Sequence, residues 1–195
     1  MKKSVYQNRV YNATTIKYPV LTNQICTPIV VNTPEAMGEQ KAIQVLGLWD
    51  TGATGSCISK KYADELGLKP VEFRDTYGVG GSIERVPVYE ILIDLNKDVK
   101  NIRVFVGEAR LHREDGGPSN SEIGFLIGMD IISHGDFFVG RYKSDTNNEK
   151  TIFSFRIPSA CDPVDYLQEV RAFNREMALQ QQKENKQNFL KKRHR

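Results

Sequence analysis

Asp50 is the residue of this chain whose surroundings best suit chemistry. Val45 to Trp49 form an apolar run that predicts a buried strand, and Asp50, Thr51 and Gly52 follow it directly. A buried strand that ends in this way delivers one carboxylate to a tight loop, where it can accept or donate a proton. The tripeptide alone is weak evidence, so the elements around it decide its meaning.

Two further elements must position this loop. Cys57 to Leu68 are typical of a short helix, with Ser59 as its N-cap and Gly67 just past its end. Farther along the chain, Phe125 to Ile132 place a second apolar run against a glycine and an acid.

These elements follow a recognisable order: a strand, Asp-Thr-Gly-Ala, a helix, a hairpin with a glycine-rich tip, and then apolar-apolar-Gly-x-Asp. In this order they resemble the retropepsin family of aspartic proteases, in its cellular and bacterial branch. The resemblance covers the chain from Cys26 to Ile157. It implies an all-β fold, a closed retropepsin-like β-barrel with short helices, to which this chain adds a C-terminal helical extension. It also implies an aspartic-type endopeptidase that uses no metal and no other cofactor.

The chain carries a single motif of this kind, because no other Asp-Thr-Gly and no Asp-Ser-Gly occurs in it. Aspartic protease chemistry needs two carboxylates that share a proton, one acting as base on a water and the other as acid toward the carbonyl oxygen. One chain can supply both only by two-fold pairing, with each subunit giving one Asp50. We therefore expect a homodimer that hydrolyses peptide or protein substrates with a bell-shaped pH profile.

The resemblance also gives roles to the residues that follow Asp50. In the family, the position of Thr51 hydrogen-bonds across to the other subunit, and Gly52 lets the loop backbone approach closely. Ala53 matches the family pattern and is expected to contact the substrate. Thr54 stands where retroviral members often carry another acid, a departure that concerns substrate contacts and not catalysis.

The segment from Tyr77 to Leu95 is typical of a β-hairpin, because glycines near its start permit a sharp turn and apolar residues alternate along the strand that follows. By resemblance its tip is a flap that closes over a bound peptide. An ordinary surface turn is the alternative. The flap residues that we expect to contact the substrate are Tyr77, Gly78, Val79, Gly80 and Gly81.

Three later features have a structural and a functional interpretation. Leu126 and Ile127 match family positions that wall the peptide cleft, although core packing alone could explain both. Asp130 is interpreted as a hydrogen-bond acceptor at the start of a short helix and not as a third catalytic acid. Thr151 to Ile157 is the candidate for a strand shared between subunits, as terminal strands are in the family; a strand within one subunit's barrel is the alternative.

The cysteines predict neither a disulfide framework nor a zinc site, because Cys26, Cys57 and Cys161 are widely spaced and odd in number. Buried free thiols are the simplest interpretation. Cys57 lies close to Asp50 in sequence, but no Cys-His arrangement of recognisable spacing accompanies it. A cysteine nucleophile is therefore the weaker alternative.

Composition and length indicate one globular domain with extensions. We expect an N-terminal extension over residues 1–20, the protease domain over 21–160 and a helical, basic extension over 161–195. No run reaches the apolar length of a membrane span, and the polar N-terminal residues lack the apolar core of a signal peptide. We therefore expect a cytoplasmic protein without a membrane partner.

The C-terminal extension carries the excess positive charge. Residues 162–195 contain 8 Lys or Arg against 5 Asp or Glu, which accounts for the whole net charge of +3. Tyr166, Val170, Phe173 and Met177 recur at helical spacing, which favours packing against the domain or a partner helix. The short basic cluster at the end is weak evidence for nucleic-acid binding. Two other functions remain open: a catalytically silent dimerisation or peptide-binding module, and an adaptor that acts through this tail.

Overall fold

Apolar residues that alternate along a strand bury one of its faces. Val45 and Trp49 do so in the strand before Asp50, where both are buried. The computed structural model describes residues 10–34, 38, 40–77, 83–111, 123–143, 148–159 and 166–193. The chain divides into two compact units, Met1–Ala160 and Cys161–Arg195.

The described residues form ten strands and three helices. The strands are β1 (Asn12–Lys17), β2 (Cys26–Asn32), β3 (Ala42–Trp49), β4 (Cys57–Ser59), β5 (Glu72–Tyr77), β6 (Ile83–Asp94), β7 (Ile102–Ala109), β8 (Ile123–Ile127), β9 (Asp136–Lys143) and β10 (Glu149–Ile157). The helices are α1 (Lys60–Leu66), α2 (Met129–Ile132) and α3 (Tyr166–Arg193).

Six strands close into a barrel. Their order is β2-β3-β8-β4-β7-β6, and β2 pairs with β6 to complete the ring. The β3–β8 and β4–β7 pairs are parallel, and the remaining pairs of the ring are antiparallel. The fully buried side chains inside include Ile29, Ile58, Ile91, Val106 and Phe125. The prediction of an all-β closed barrel with short helices and a C-terminal helix is confirmed.

Strand β5 extends this sheet beyond the ring. It pairs with the first half of β6, from Tyr77↔Ile83 to Glu72↔Val88. A hairpin therefore forms as predicted, but its first strand begins at Glu72, before the predicted segment. All six residues of β5 are exposed. The predicted flap tip, Gly78 to Gly81, lies outside the described residues.

A second, three-stranded antiparallel sheet has the order β1-β10-β9. Strand β1 lies within the predicted N-terminal extension and pairs with β10 along its whole length. Side chains tie this sheet to the barrel, since Asn96 Nδ2 donates to the carbonyl of Ala13 at 2.9 Å and Tyr18 Oη donates to the carbonyl of Cys26 at 2.7 Å.

The pairing of β10 distinguishes the two interpretations of Thr151 to Ile157. Strand β10 is central in its sheet, with β1 bonded to one edge and β9 to the other. It therefore has no free edge to share with a partner subunit. As the alternative predicted, the strand pairs within one subunit, but its sheet is separate from the barrel.

The first helix ends as its sequence predicts. Ser59 precedes α1, and Gly67 follows it in the left-handed conformation with φ of 66°. The helix begins three residues later than the start of the predicted segment, because Cys57 to Ser59 form β4 between β7 and β8.

Helix α3 presents several apolar side chains to its surroundings. Val170, Phe173 and Met177 are each about half exposed, between 49% and 61%. Despite its length, neither α3 nor any other helix in the described ranges is apolar enough to cross a membrane.

Candidate active site

Asp50 leaves the barrel where β3 runs parallel to β8. Its backbone N–H donates to the carbonyl of Ile127 at 2.9 Å, which continues the β3–β8 ladder by one residue. The preceding residue, Trp49, bonds through its N–H to the carbonyl of Ile25 at 2.9 Å on the other side. Asp50 is thus fixed by its backbone between two neighbours, and its side chain is half-buried.

The loop after Asp50 turns back on its carboxylate. The Gly52 N–H donates to Asp50 Oδ1 at 2.8 Å, and the Ala53 N–H donates to the Asp50 carbonyl at 3.3 Å. A Cβ on Gly52 would lie 3.2 Å from the same Oδ1, so glycine is the residue that leaves this contact unobstructed. These bonds orient the carboxylate, while Thr51 and Gly52 stay exposed beside it.

The second apolar run holds the far side of this loop. The Met129 N–H donates to the Ala53 carbonyl at 2.9 Å, and the Asp130 N–H donates to the Thr54 carbonyl at 3.2 Å. Gly128 packs directly on the loop, since a Cβ there would lie 2.6 Å from the Gly55 carbonyl carbon. The two predicted motifs are therefore in contact, as their functional interpretation requires.

Asp130 is a hydrogen-bond acceptor, but its partner is the loop and not its own helix. Asp130 Oδ2 accepts from the Ser56 N–H at 2.9 Å and Oδ1 accepts from Ser56 Oγ at 2.7 Å. Ser56 Oγ in turn accepts from the Gly128 N–H at 2.9 Å. The N-cap of α2 is Gly128, which has no capping side chain. Ser56 is a supporting residue that sequence reasoning missed, because its only signal is a hydroxyl six residues after Asp50.

An aromatic cluster supports the strand beneath Asp50. The Trp49 ring lies with its centroid 4.9 Å from that of Phe153 and 4.9 Å from that of Phe155. Trp49 Nε1 donates to Thr27 Oγ1 at 3.0 Å, which satisfies the one polar atom of the buried indole. Because the two phenylalanines belong to β10, the three-stranded sheet forms the base on which the Asp50 strand rests.

Asp50 opens on a surface cavity of about 400 Å³. The cavity lies between the end of β3 and strand β9. Its lining residues are Asn23, Gln24, Ile25, Leu48, Trp49, Asp50, Thr51, Phe137 and Val139.

The remaining predicted site residues are placed differently from one another. Ile127 is fully buried inside the barrel, whereas Leu126 is half-buried. Tyr77 is 78% exposed at the end of β5. Ala53 is half-buried within the Asp50 loop. Gly78, Val79, Gly80 and Gly81 lie outside the described residues.

The surroundings of Cys57 argue against a cysteine nucleophile. Burial, followed by the negative charges of Asp130 and Asp50, raises the pKa of the Cys57 thiol to about 12. The thiol therefore stays protonated at neutral pH, whereas the attacking species in cysteine catalysis is the thiolate. Burial also raises the pKa of Cys26. Cys161 lies outside the described residues, and within those residues no cluster of three or more Asp, Glu, His or Cys could hold a metal ion.

Among known proteins, this chain is similar to several whose structures have been solved. No family model matches the sequence, and the comparison with curated proteins found no match. The chain is similar to a retropepsin-like aspartic protease from Rickettsia conorii, with 13% identity and a TM-score of 0.41 over 77% of this chain and 98% of that one. It is also similar to EIAV protease complexed with the inhibitor HBY-793, with 18% identity and a TM-score of 0.37 over 60% of this chain and 92% of that one. At such identities the activity of this chain has to be argued from its own residues.

Proposed function

We propose that this protein is a retropepsin-like aspartic endopeptidase that acts as a homodimer. The observation that carries the proposal is the Asp50 loop. One carboxylate at the end of a core strand is oriented by the Gly52 N–H at 2.8 Å and faces an open cavity. The contacts of Met129 and Asp130 hold the same loop from behind.

The chemistry requires a second carboxylate beside the first. One aspartate, ionised, takes a proton from a water molecule as that water attacks the peptide carbonyl carbon. The other, protonated, donates its proton to the carbonyl oxygen, so a neutral tetrahedral diol forms. Because the sequence contains one Asp-Thr-Gly, the second carboxylate is Asp50 of another copy of the chain.

Residues around Asp50 are proposed to contact the other subunit or the peptide. Thr51 is exposed next to Asp50, where its hydroxyl can bond to the other subunit. Ala53 and Leu126 are proposed to contact the peptide, with Ile127 behind them in the core. Tyr77 and residues 78–81 are proposed to form the flap that covers the bound peptide and excludes water.

Strand β9 is the proposed dimer interface. It is an edge strand of eight residues whose Phe138 and Val139 are 48% and 45% exposed. A long edge with exposed apolar side chains is prone to pair with another chain. Val139 lines the same cavity as Asp50, so a partner subunit that covers β9 also approaches the carboxylate. The β1 edge is less available, because Asn96 already bonds to the Ala13 carbonyl.

Val139→Glu is expected to weaken dimerisation more than a hundredfold. The substitution places a carboxylate from each subunit in the interface without a partner, at a cost of about 3 kcal/mol or more. Sedimentation velocity over a range of chain concentrations measures the change. Phe105→Glu is the matched control, because Phe105 is 47% exposed on the outer side of the barrel. A Val139→Glu protein that dimerises as tightly as the parent chain would exclude β9 as the interface.

Cleavage of a diverse peptide library by the purified protein, from mildly acidic to neutral pH, tests the function itself. We expect cleavage with a bell-shaped pH profile, because the active form of the pair carries one proton and is lost on either side of its optimum. Mass spectrometry of the products identifies the bonds that are cut. A folded dimer that cuts no peptide would instead support a silent peptide-binding module.

A further inference from the structure

We propose that Asp130 is a positioning residue for Asp50, acting through Ser56 and the loop between them. The inference rests on the proposed function. It adds that the aspartate pair needs a third acid to hold the loop in place. Asp130 touches neither water nor substrate in this role. It fixes where the Asp50 carboxylate stands.

The bonds of Asp130 converge on one end of the loop. Both carboxylate oxygens accept from Ser56, one from its N–H at 2.9 Å and one from its Oγ at 2.7 Å. The Asp130 N–H donates to the Thr54 carbonyl at 3.2 Å. A single residue therefore makes three hydrogen bonds to a stretch of three residues, which is more than a helix cap requires.

Ser56 is also hydrogen-bonded to residues of the barrel and of the segment after β8. Its Oγ accepts from the Gly128 N–H at 2.9 Å, and its carbonyl accepts from the Gly107 N–H at 3.2 Å. Ser56 is 4% exposed, so water cannot readily replace a hydrogen-bond partner that its N–H or hydroxyl loses. If the Asp130 carboxylate is removed, Ser56 has to move or leave its N–H unpaired.

The other end of the loop is Asp50. Five residues lie between Asp50 and Ser56, and the Asp50 N–H is bonded to the Ile127 carbonyl of β8. The Met129 N–H donates to the Ala53 carbonyl at 2.9 Å and the Asp130 N–H to the Thr54 carbonyl at 3.2 Å, so the helix that carries Asp130 also holds the residues between Gly52 and Ser56. A shift of Ser56 therefore changes the turn at Gly52 that orients the catalytic carboxylate.

Asp130→Asn in the full chain tests the proposal, because the amide keeps the shape but loses one acceptor and the charge. We expect kcat to fall by about a hundredfold with KM nearly unchanged, since a misplacement of about 1 Å has that effect on a catalytic group. Asp94→Asn is the matched control: Asp94 ends β6, and its Oδ1 accepts from the Asn101 N–H at 2.8 Å away from the Asp50 loop. Its kcat should stay that of the parent chain.

A spectroscopic readout keeps this test separate from the test of function. The Gly52 amide donates to Asp50 Oδ1, so its hydrogen exchange, followed by NMR on the dimeric protein, reports the loop geometry without any substrate. We expect faster Gly52 exchange in Asp130→Asn and no change in Asp94→Asn. If the parent chain cleaves no peptide, the proposed function fails, and Gly52 exchange still decides whether Asp130 orders the loop.

Three results would overturn the positioning role. They are unchanged Gly52 exchange in Asp130→Asn, unchanged kcat in an active enzyme, and a loss of activity that appears only as a raised KM. If Asp130→Asn fails to fold, Ser56→Ala replaces it, because this variant removes the hydroxyl and leaves the bond between the Ser56 N–H and Asp130. It should show the same changes to a smaller extent.

Discussion

Asp50→Asn is expected to reduce peptide cleavage by about four orders of magnitude, the upper range for loss of a positioned acid or base, because both members of the pair are lost at once. An amide cannot take a proton from water near neutral pH, so neither step of the proposed reaction can proceed. The fold should remain, because Asn keeps an oxygen that accepts the Gly52 N–H. Initial rates on one cleaved peptide from the library provide the measurement.

A mixing experiment separates shared chemistry from chemistry within one chain. When Asp50→Asn and parent chains exchange subunits in equal amounts, about a quarter of the dimers contain two intact aspartates. Activity per parent chain should then fall by about half, since heterodimers are inactive. Activity that stays proportional to the amount of parent chain would show that one Asp50 suffices. Asp98→Asn, in an exposed loop, serves as the control for loss of one negative charge.

Gly128→Ala is expected to lower the free energy of unfolding by about 3 kcal/mol and to reduce cleavage more than tenfold. The added Cβ would lie 2.6 Å from the Gly55 carbonyl carbon and 2.7 Å from its oxygen. Both are backbone atoms of the Asp50 loop, which cannot rotate away as a side chain can. Chemical denaturation at fixed chain concentration measures the loss, because a dimer's stability depends on concentration.

Gly55→Ala provides the matched control for this prediction. Nothing lies within 4 Å of a Cβ at Gly55, and its φ is not in the left-handed region. Its unfolding free energy should stay within about 1 kcal/mol of the parent value. If both variants lose the same stability, the close packing of Gly128 on the loop is not the reason that position 128 needs glycine.

The features that sequence predicted well are those that depend on neighbouring residues. An apolar run predicted the strand before Asp50, and apolar alternation predicted the second strand of the hairpin, which lies in β6. The glycine at position 67 predicted the end of α1, where it adopts φ of 66°. Thr151 to Ile157 was likewise predicted to be a strand, and it lies within β10.

The sequence alone also determined the number of motifs. The chain holds one Asp-Thr-Gly in 195 residues, which is why the proposed aspartic chemistry takes its second carboxylate from another copy. It did not determine how the site is supported. Asp130 was correctly predicted to accept hydrogen bonds, but its partner Ser56 lies 74 residues away in the chain.

Only the tertiary structure decided which strands pair. A run such as Thr151 to Ile157 has the same alternation whether it lies at an edge, in a barrel or between two strands of its own chain. Its position in the middle of the β1-β10-β9 sheet follows from pairing with residues more than 130 positions earlier, from Asn12 to Lys17. The alternation of apolar residues is a local property that sets which face of a strand is buried. The choice of partner is a competition among all strands of the chain, so it appears only when the whole core is assembled.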